Sequence, residues 1–596
     1  MIRTPLRPLA RILQARQQGE NPDAIERENI RLRHEQMRDR ARRQAEGRLL
    51  VLGIAFFCAF CVIGLRMAAL AASEPEEPRT SALGADIHNT RADIVDRHGR
   101  VLATNLETYA LYAQPHHMID PERAARELVA VFPDLDEDRL RRDFTGERRF
   151  LWIKRKLSPE QMQAVHDIGE PGLLFGAREM RLYPNGRLAA HVLGGASFGR
   201  EGVHAAEVIG VAGIERFLDE RLRDPAQATA PLELSIDLSV QAAVEQVLAG
   251  GMRLLNAKGA AAILMDVHTG EIIALSSMPD FDPNDRPAPP TEGSPADSPL
   301  FNRAVQGVYE LGSVYKILAT AQAIDLGLVN HNTIIDTSPP FRVGGFGIGE
   351  FRGRNYGKIS VHDIIVKSSN RGTGRLAQSI GGTRQRAFLD ELGLLAPTGL
   401  EITEAAGGRP LLPQRWGELS SVTISYGHGL STSPMHLAMA YAAIANGGTA
   451  VQPTLIKRDG PQFGPRVMSP QTAAVSRTML RAAVTDGTAS MAEVPGYAVA
   501  GKTGTADKPR PQGGGYYKDK VIATFATMFP AHAPKYVLIV SLDEPVETSG
   551  DQPRRTAGWT AVPVAAEMIR RVAPLLGLRP EIEPAAADGI TLTSAP

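Results

Sequence analysis

Tyr309-Glu310-Leu311-Gly312-Ser313-Val314-Tyr315-Lys316 is followed by Ile317-Leu318-Ala319-Thr320-Ala321, a run of good helix formers. The pattern predicts a loop that enters a helix. Residues three apart on a helix share a face, so Ser313 and Lys316 point the same way, about one turn apart. A serine hydroxyl is a weak nucleophile until a base takes its proton. A lysine becomes such a base when burial or a second cation lowers its pKa. The helix N-terminus beside Ser313 favours developing negative charge.

Ser-x-x-Lys alone is weak evidence, because surface serines and lysines meet at that spacing by chance. Two further patterns change its weight. Ser368-Ser369-Asn370 supplies Ser-x-Asn, and Lys502-Thr503-Gly504-Thr505 supplies Lys-Thr-Gly. Each of the three patterns occurs once in the chain, in the order SxxK, SxN, KTG. On this triple the chain resembles the penicillin-recognising serine transferases.

At 596 residues the chain is long enough for two or more domains, and its 43% apolar content is ample for folded cores. Equal numbers of acidic and basic residues, 66 of each, give no global signal for nucleic acid or an acidic partner. Cys58 and Cys61 are the only cysteines, so neither a disulfide framework nor a cysteine metal site can be built. His116-His117 has no Cys, Asp or Glu at ligand spacing and reads as surface.

Residues 1–48 carry twelve arginines against seven acidic residues and read as a cytoplasmic tail. Leu49–Leu70 is an apolar run of 22 residues broken only by Arg66. As a helix it reaches about 33 Å, enough to span a bilayer. The arginines before it fit the positive-inside rule, which keeps the N-terminus in the cytoplasm and exports the chain beyond residue 70. A cleavable signal peptide, cut near Ala69-Leu70-Ala71, is the competing reading, but both the charged region and the apolar run are long for one. Ser73–Pro78 reads as a polar linker.

Arg91–Ala103 reads as strand, Arg-His-Gly turn, strand. It resembles the first box of the non-catalytic module of class B penicillin-binding proteins, with Ala92 where glycine is usual. Arg181–Gly186 with His191–Gly194, and Gly213-Ile214-Glu215, resemble two further boxes. Their expected role is structural: turns, caps and interdomain ion pairs. From about Leu232 the texture changes. Leu234–Asp237 reads as a strand and Val240–Leu255 as a helix. Ala260–Met265 and Glu271–Ser276 form a hairpin, and Arg286–Pro299 a mobile loop. Gly344–Gly357 reads as loop or hairpin, not a phosphate cradle. Ala498–Thr505, Val521–Phe529 and Tyr536–Leu542 read as strands, Pro509–Gly515 as a flexible loop and Val562–Leu575 as a terminal helix.

The expected fold is α+β and multidomain. It comprises a single transmembrane helix (49–70), an elongated periplasmic non-catalytic module (71–225), a serine β-lactamase-like transpeptidase domain (226–578) and a disordered tail (579–596). The resemblance is to class B enzymes, since no glycosyltransferase-sized segment separates the apolar run from the catalytic part. Ser-Ser-Asn and the cytoplasmic tail resemble the cell-division branch. Leu311 stands where proline is common, and Val314-Tyr315 replace a smaller pair, changes expected to alter the shape of the pocket.

The resemblance implies an inner-membrane enzyme that cross-links peptidoglycan stem peptides at the division septum and is acylated by β-lactams. Ser313 is then the nucleophile, Lys316 the general base and Ser368 the proton relay. Asn370 binds the stem-peptide backbone and Lys502 supplies positive charge. Thr503 and Thr505 bind the terminal carboxylate, and Gly504 lets substrate approach the strand. Neither metal nor cofactor is implied. Implied partners are stem peptides, β-lactams, the membrane, a glycosyltransferase and other division proteins, without nucleic acid. The alternatives are an elongation-type enzyme, a hydrolase of β-lactams, and an idle scaffold or β-lactam sensor. Against the hydrolase, the chain's only Leu-Asn, Leu255-Asn256, has Met252 where a deacylating glutamate is needed.

Overall fold

The computed structural model describes residues 9–21, separate positions between 23 and 35, residues 52–64, 67, 91–201, 206–227, 229–510 and 514–581. The chain divides into two compact units, Met1–His88 and Asn89–Pro596. In the first, Leu9–Gln17 is a helix and residues 52–64 are helical. Phe56, Phe57, Phe60 and Val62 are each more than 60% exposed there. Among the described residues, no helix is long and apolar enough to cross a membrane. The expected span 49–70 continues at both ends into positions outside the described residues. The Ser73–Pro78 linker, residues 511–513 of the expected loop, and the tail from residue 582 also lie outside them.

In the second unit, Ile94–Val95 and Val101–Ala113 pair antiparallel around the Arg-His-Gly turn, as the sequence predicts. Val101–Ala113 is flanked by Leu151–Leu157 and Leu173–Leu182. Helices Pro121–Val131, Glu137–Thr145 and Pro159–Asp167 supply the core below it, through Leu128, Phe144 and Val165. Ile94 also pairs in parallel with Leu232, so the module's first strand is stitched to the segment that leads into the catalytic part.

The three family-like boxes converge on one buried carboxylate. Glu215 is fully buried and takes Arg91 Nε at 2.6 Å and Arg181 Nε at 2.7 Å. Tyr183 donates to it at 3.3 Å, and Arg91 also pairs with Asp219 at 2.7 Å. Expected interdomain pairs are present as well: Arg97 with Glu271 at 3.2 Å and Arg100 with Asp237 at 2.8 Å. Removing one partner of a buried pair strands the other's charge, at about 3–5 kcal/mol. Glu215→Ala is therefore expected to lower the thermal midpoint sharply, because Arg181 loses its carboxylate partner and Arg91 keeps only Asp219. An unchanged midpoint by circular dichroism would show that the cluster contributes nothing to stability.

The catalytic part is built on a five-stranded antiparallel sheet. Its order is Ala500–Pro509, Tyr516–Phe529, Tyr536–Asp543, Gly259–Asp266, Ile272–Met278. Successive side chains on a strand face opposite sides. Ile263, Met265, Val537 and Ile539 join the core that holds the nucleophile helix. Leu264, Leu538, Val540 and Phe525 join the core formed with helices Leu238–Leu254 and Ala561–Leu575. Both faces are covered, so the inner strands read as continuous apolar runs. The strand bearing Lys502-Thr503-Gly504 lies at an edge, with one side unpaired by any strand of the sheet.

Differences from expectation are local. Leu234 makes an isolated bridge to Ile456, next to the short strand Leu232–Glu233. Gly344–Gly357, by contrast, matches the expected loop or hairpin: Arg342–Val343 pairs with Phe346–Gly347, and a tight turn follows at Phe351–Gly353. Within Arg286–Pro299, Pro295–Asp297 forms a 3-10 turn, and Lys258 pairs with Asp297 at 2.6 Å.

Candidate active site

Ser313 does not lie on an α-helix. Gly312–Tyr315 is a 3-10 turn, and the α-helix begins at Lys316 and runs to Asp325. The 3-10 geometry has three residues per turn and eclipses positions i and i+3. Ser313 and Lys316 thus stack more directly than the expected α-helix would allow. The turn is held from three sides. Gly312 N donates to Gly427 O at 3.1 Å, Tyr441 OH to Val314 O at 2.9 Å, and Tyr315 OH shares a 2.7 Å bond with Thr432 Oγ1. Leu311, Val314 and Tyr315 are buried. The unusual side chains around Ser313 pack into the core.

Ser368 links the two lysines. Lys316 Nζ donates to Ser368 O at 2.5 Å and to Ser368 Oγ at 3.1 Å. Lys502 Nζ donates to the same Oγ at 3.0 Å and to Thr503 O at 3.2 Å. Ser368 has φ of +59°, left-handed backbone that a non-glycine residue adopts at a cost of order 1–3 kcal/mol. That conformation turns its hydroxyl toward both ammonium groups. The bonds of Lys316 go to Ser368; Ser313 shares its turn and is partly exposed beside it.

Both lysines are almost wholly buried. Burial pushes Lys316 well below the usual lysine range, the Lys502 charge pushes it further, and Glu350 opposes the shift. Burial alone brings Lys502 down to about 7. Two cations held together out of water cannot both stay charged easily. Lys316, which feels the second charge as well as desolvation, is the one driven towards the neutral amine.

The edge strand meets the nucleophile turn with no room for side chains between them. A Cβ on Gly504 would sit 2.2 Å from Leu311 O, and one on Gly312, whose φ is +65°, 2.9 Å from Thr505 O. Both glycines are thus required by close backbone approach. The steric block at Gly504 comes from the protein's own Leu311, whereas the sequence suggested substrate. Thr503 Oγ1 shares a 2.7 Å bond with Thr488 Oγ1. Thr505 Oγ1 accepts from Ala557 N at 3.0 Å, leaving its own proton to donate. Asn370 begins the helix Asn370–Ile380, and its Nδ2 donates to Gly349 O at 2.9 Å.

Sequence reasoning passed over Glu350, Thr488 and Ala557. Each is distant in sequence from the residue it supports and belongs to no short motif. Glu350 left one trace, a lone carboxylate in a glycine-rich stretch.

Among protein families, the model of the penicillin-binding protein transpeptidase domain matches residues 260–567. That of the penicillin-binding protein dimerisation domain matches residues 86–228. The chain is 33% identical over 567 residues to a probable peptidoglycan D,D-transpeptidase FtsI of Caulobacter vibrioides, covering 93% of each. It is 28% identical to the peptidoglycan D,D-transpeptidase FtsI of Escherichia coli K12, covering 77% of this chain and 80% of that one. Among solved structures it is similar to penicillin-binding protein 3 of Mycobacterium tuberculosis in complex with aztreonam. The TM-score is 0.62 at 26% identity, covering 83% of this chain and 97% of the other. The chain belongs to the class B penicillin-binding proteins of the FtsI type, and it is a serine D-Ala-D-Ala transpeptidase of peptidoglycan.

Proposed function

We propose that acyl transfer runs through Ser313, Lys316 and Ser368, at the division septum. One observation carries the reading: two buried lysines meet on one serine hydroxyl, between the nucleophile turn and an unpaired strand edge. Neutral Lys316 takes the Ser313 proton as Oγ attacks the carbonyl carbon of the penultimate D-Ala. Backbone N–H groups of Ser313 and Thr505 receive the developing oxyanion, at about 3 kcal/mol per donor. The C–N bond then breaks, and the leaving D-Ala amine takes a proton through the Ser368 hydroxyl, which Lys316 resupplies. An amine from a neighbouring stem peptide attacks the acyl-enzyme ester, forms the cross-link and returns the proton to Ser313.

The stem peptide would lie along the free edge of the Lys502 strand, in the manner of an added strand. Asn370 would face it with Oδ1, since its Nδ2 is engaged by Gly349. Thr505 O–H, Thr503 O–H and the Lys502 charge would hold the terminal carboxylate. β-Lactams, which resemble D-Ala-D-Ala, would acylate the same serine.

The anchor proposal rests on the arginine-rich residues 1–48, the apolar run 49–70 and the solvent-facing Phe56, Phe57 and Phe60. It puts the N-terminus in the cytoplasm and residues 71–225 and 226–578 in the periplasm as module and transpeptidase domain. A glycosyltransferase is the expected partner, because no glycosyltransferase-sized segment separates the apolar run from the catalytic part. Depletion from growing cells is expected to give filaments with blocked septa. Uniform swelling of rod cells would point instead to elongation and sink the septal assignment.

A further inference from the structure

The segment that precedes the Ser368 helix carries a buried carboxylate, Glu350, aimed at that helix's first turn. Glu350 Oε1 accepts from Ser369 Oγ at 2.5 Å and from Arg371 N at 3.1 Å, and Oε2 accepts from Asn370 N at 2.8 Å. Ser369 Oγ in turn accepts from Gly372 N at 3.0 Å as the helix N-cap. The same segment is bound to the helix by two more side chains. Asn370 Nδ2 donates to Gly349 O, and Arg371 Nε to Ile348 O at 3.2 Å. Phe341, Val343 and Ile348 pack with Val422 beneath it. An anion at a helix N-terminus satisfies free N–H groups and matches the dipole.

We infer that Glu350 is a positioning residue for acylation: its carboxylate locks the Ser368-Ser369-Asn370 corner in its left-handed form. Ser368 sits directly before the three donors that Glu350 gathers, and its φ of +59° persists only where neighbours over-determine it. Glu350 does not touch the reacting atoms. The charged groups around it are Lys316 and, beyond that, Lys502 from the catalytic elements, Arg371 from the helix, and the exposed Arg352 and Arg354 of its own segment. The Arg371 guanidinium is bonded to three carbonyls, Thr337 O at 2.7 Å, Ile348 O and Arg354 O. The negative charge of Glu350 acts on Lys316, raising its affinity for a proton.

This inference rests on the proposed roles of Ser313, Lys316 and Ser368. The test is stopped-flow acylation of the full chain by benzylpenicillin across pH, resolving the initial Kd from the acylation rate constant, for wild type, Glu350→Gln, Glu350→Asp and Ser369→Ala. Glu350→Gln is expected to lower the rate constant about 10²-fold, as a misplacement of about 1 Å does, with Kd little changed. It also moves the acid limb to lower pH, because Lys316 loses a stabilising anion. Glu350→Asp should restore both in large part. Should Glu350→Gln fail to fold, Ser369→Ala removes one donor and keeps the charge; it should lower the rate while leaving the acid limb in place. A wild-type rate constant and acid limb in Glu350→Gln, or a wild-type rate in Ser369→Ala, would overturn the inference. Absence of any adduct on folded wild type would overturn the proposed chemistry and this inference with it.

Discussion

Full-length Ser313→Ala protein, incubated with benzylpenicillin and analysed by intact-mass spectrometry, should show no adduct, while wild type gains one penicillin and keeps it. The ester forms only at the Ser313 oxygen. Ser368, the other hydroxyl at the two lysines, is held back by its hydrogen bonds to both of them. The substitution leaves the 3-10 turn intact, since Gly312, Val314 and Tyr315 hold it through their own contacts. Unchanged thermal melting should therefore accompany complete loss of labelling. Persistent labelling of Ser313→Ala would move the nucleophile elsewhere. A wild-type adduct that disappears with drug turnover would identify a hydrolase.

Lys316→Met should lower the acylation rate constant by roughly 10²–10⁴-fold, the range expected for removing a general base. Kd should change less, because Lys316 is buried and bonded to Ser368 rather than open to ligand. The two lysines also set the wild-type pH profile. Desolvation, then the Lys502 charge, lower the Lys316 pKa. The neutral, proton-accepting form is therefore more populated at a given pH than in a free lysine and is lost as pH falls through that lowered value. Lys502→Met deletes the second cation, so Lys316 holds its proton more tightly and the acid limb moves to higher pH. This is opposite in sign to Glu350→Gln. Finding both limbs displaced in the same direction would show that these two charges do not control the base.

The family was legible because its chemistry is carried by three short strings, Ser313 to Lys316, Ser368 to Asn370 and Lys502 to Thr505. The strands of the central sheet were legible because helices cover both faces, which turns Gly259–Asp266 and Tyr536–Asp543 into apolar runs. The nucleophile helix was legible as a helix, yet its first turn was not. An α and a 3-10 turn differ by which carbonyl each N–H finds, and here contacts from Gly427, Tyr441 and Thr432, more than a hundred residues away, fix the turn.

The sequence by itself determined which side chains exist to do the chemistry, in what order, and on what type of local element, since these depend on residue identity and spacing. Only the tertiary structure decided that Lys316 and Lys502, distant along the chain and both buried, share the Ser368 hydroxyl. Only it decided that Glu350 braces that corner. The physical reason is that pKa and positioning depend on burial and on charges a few ångströms away through space, and a linear pattern records neither.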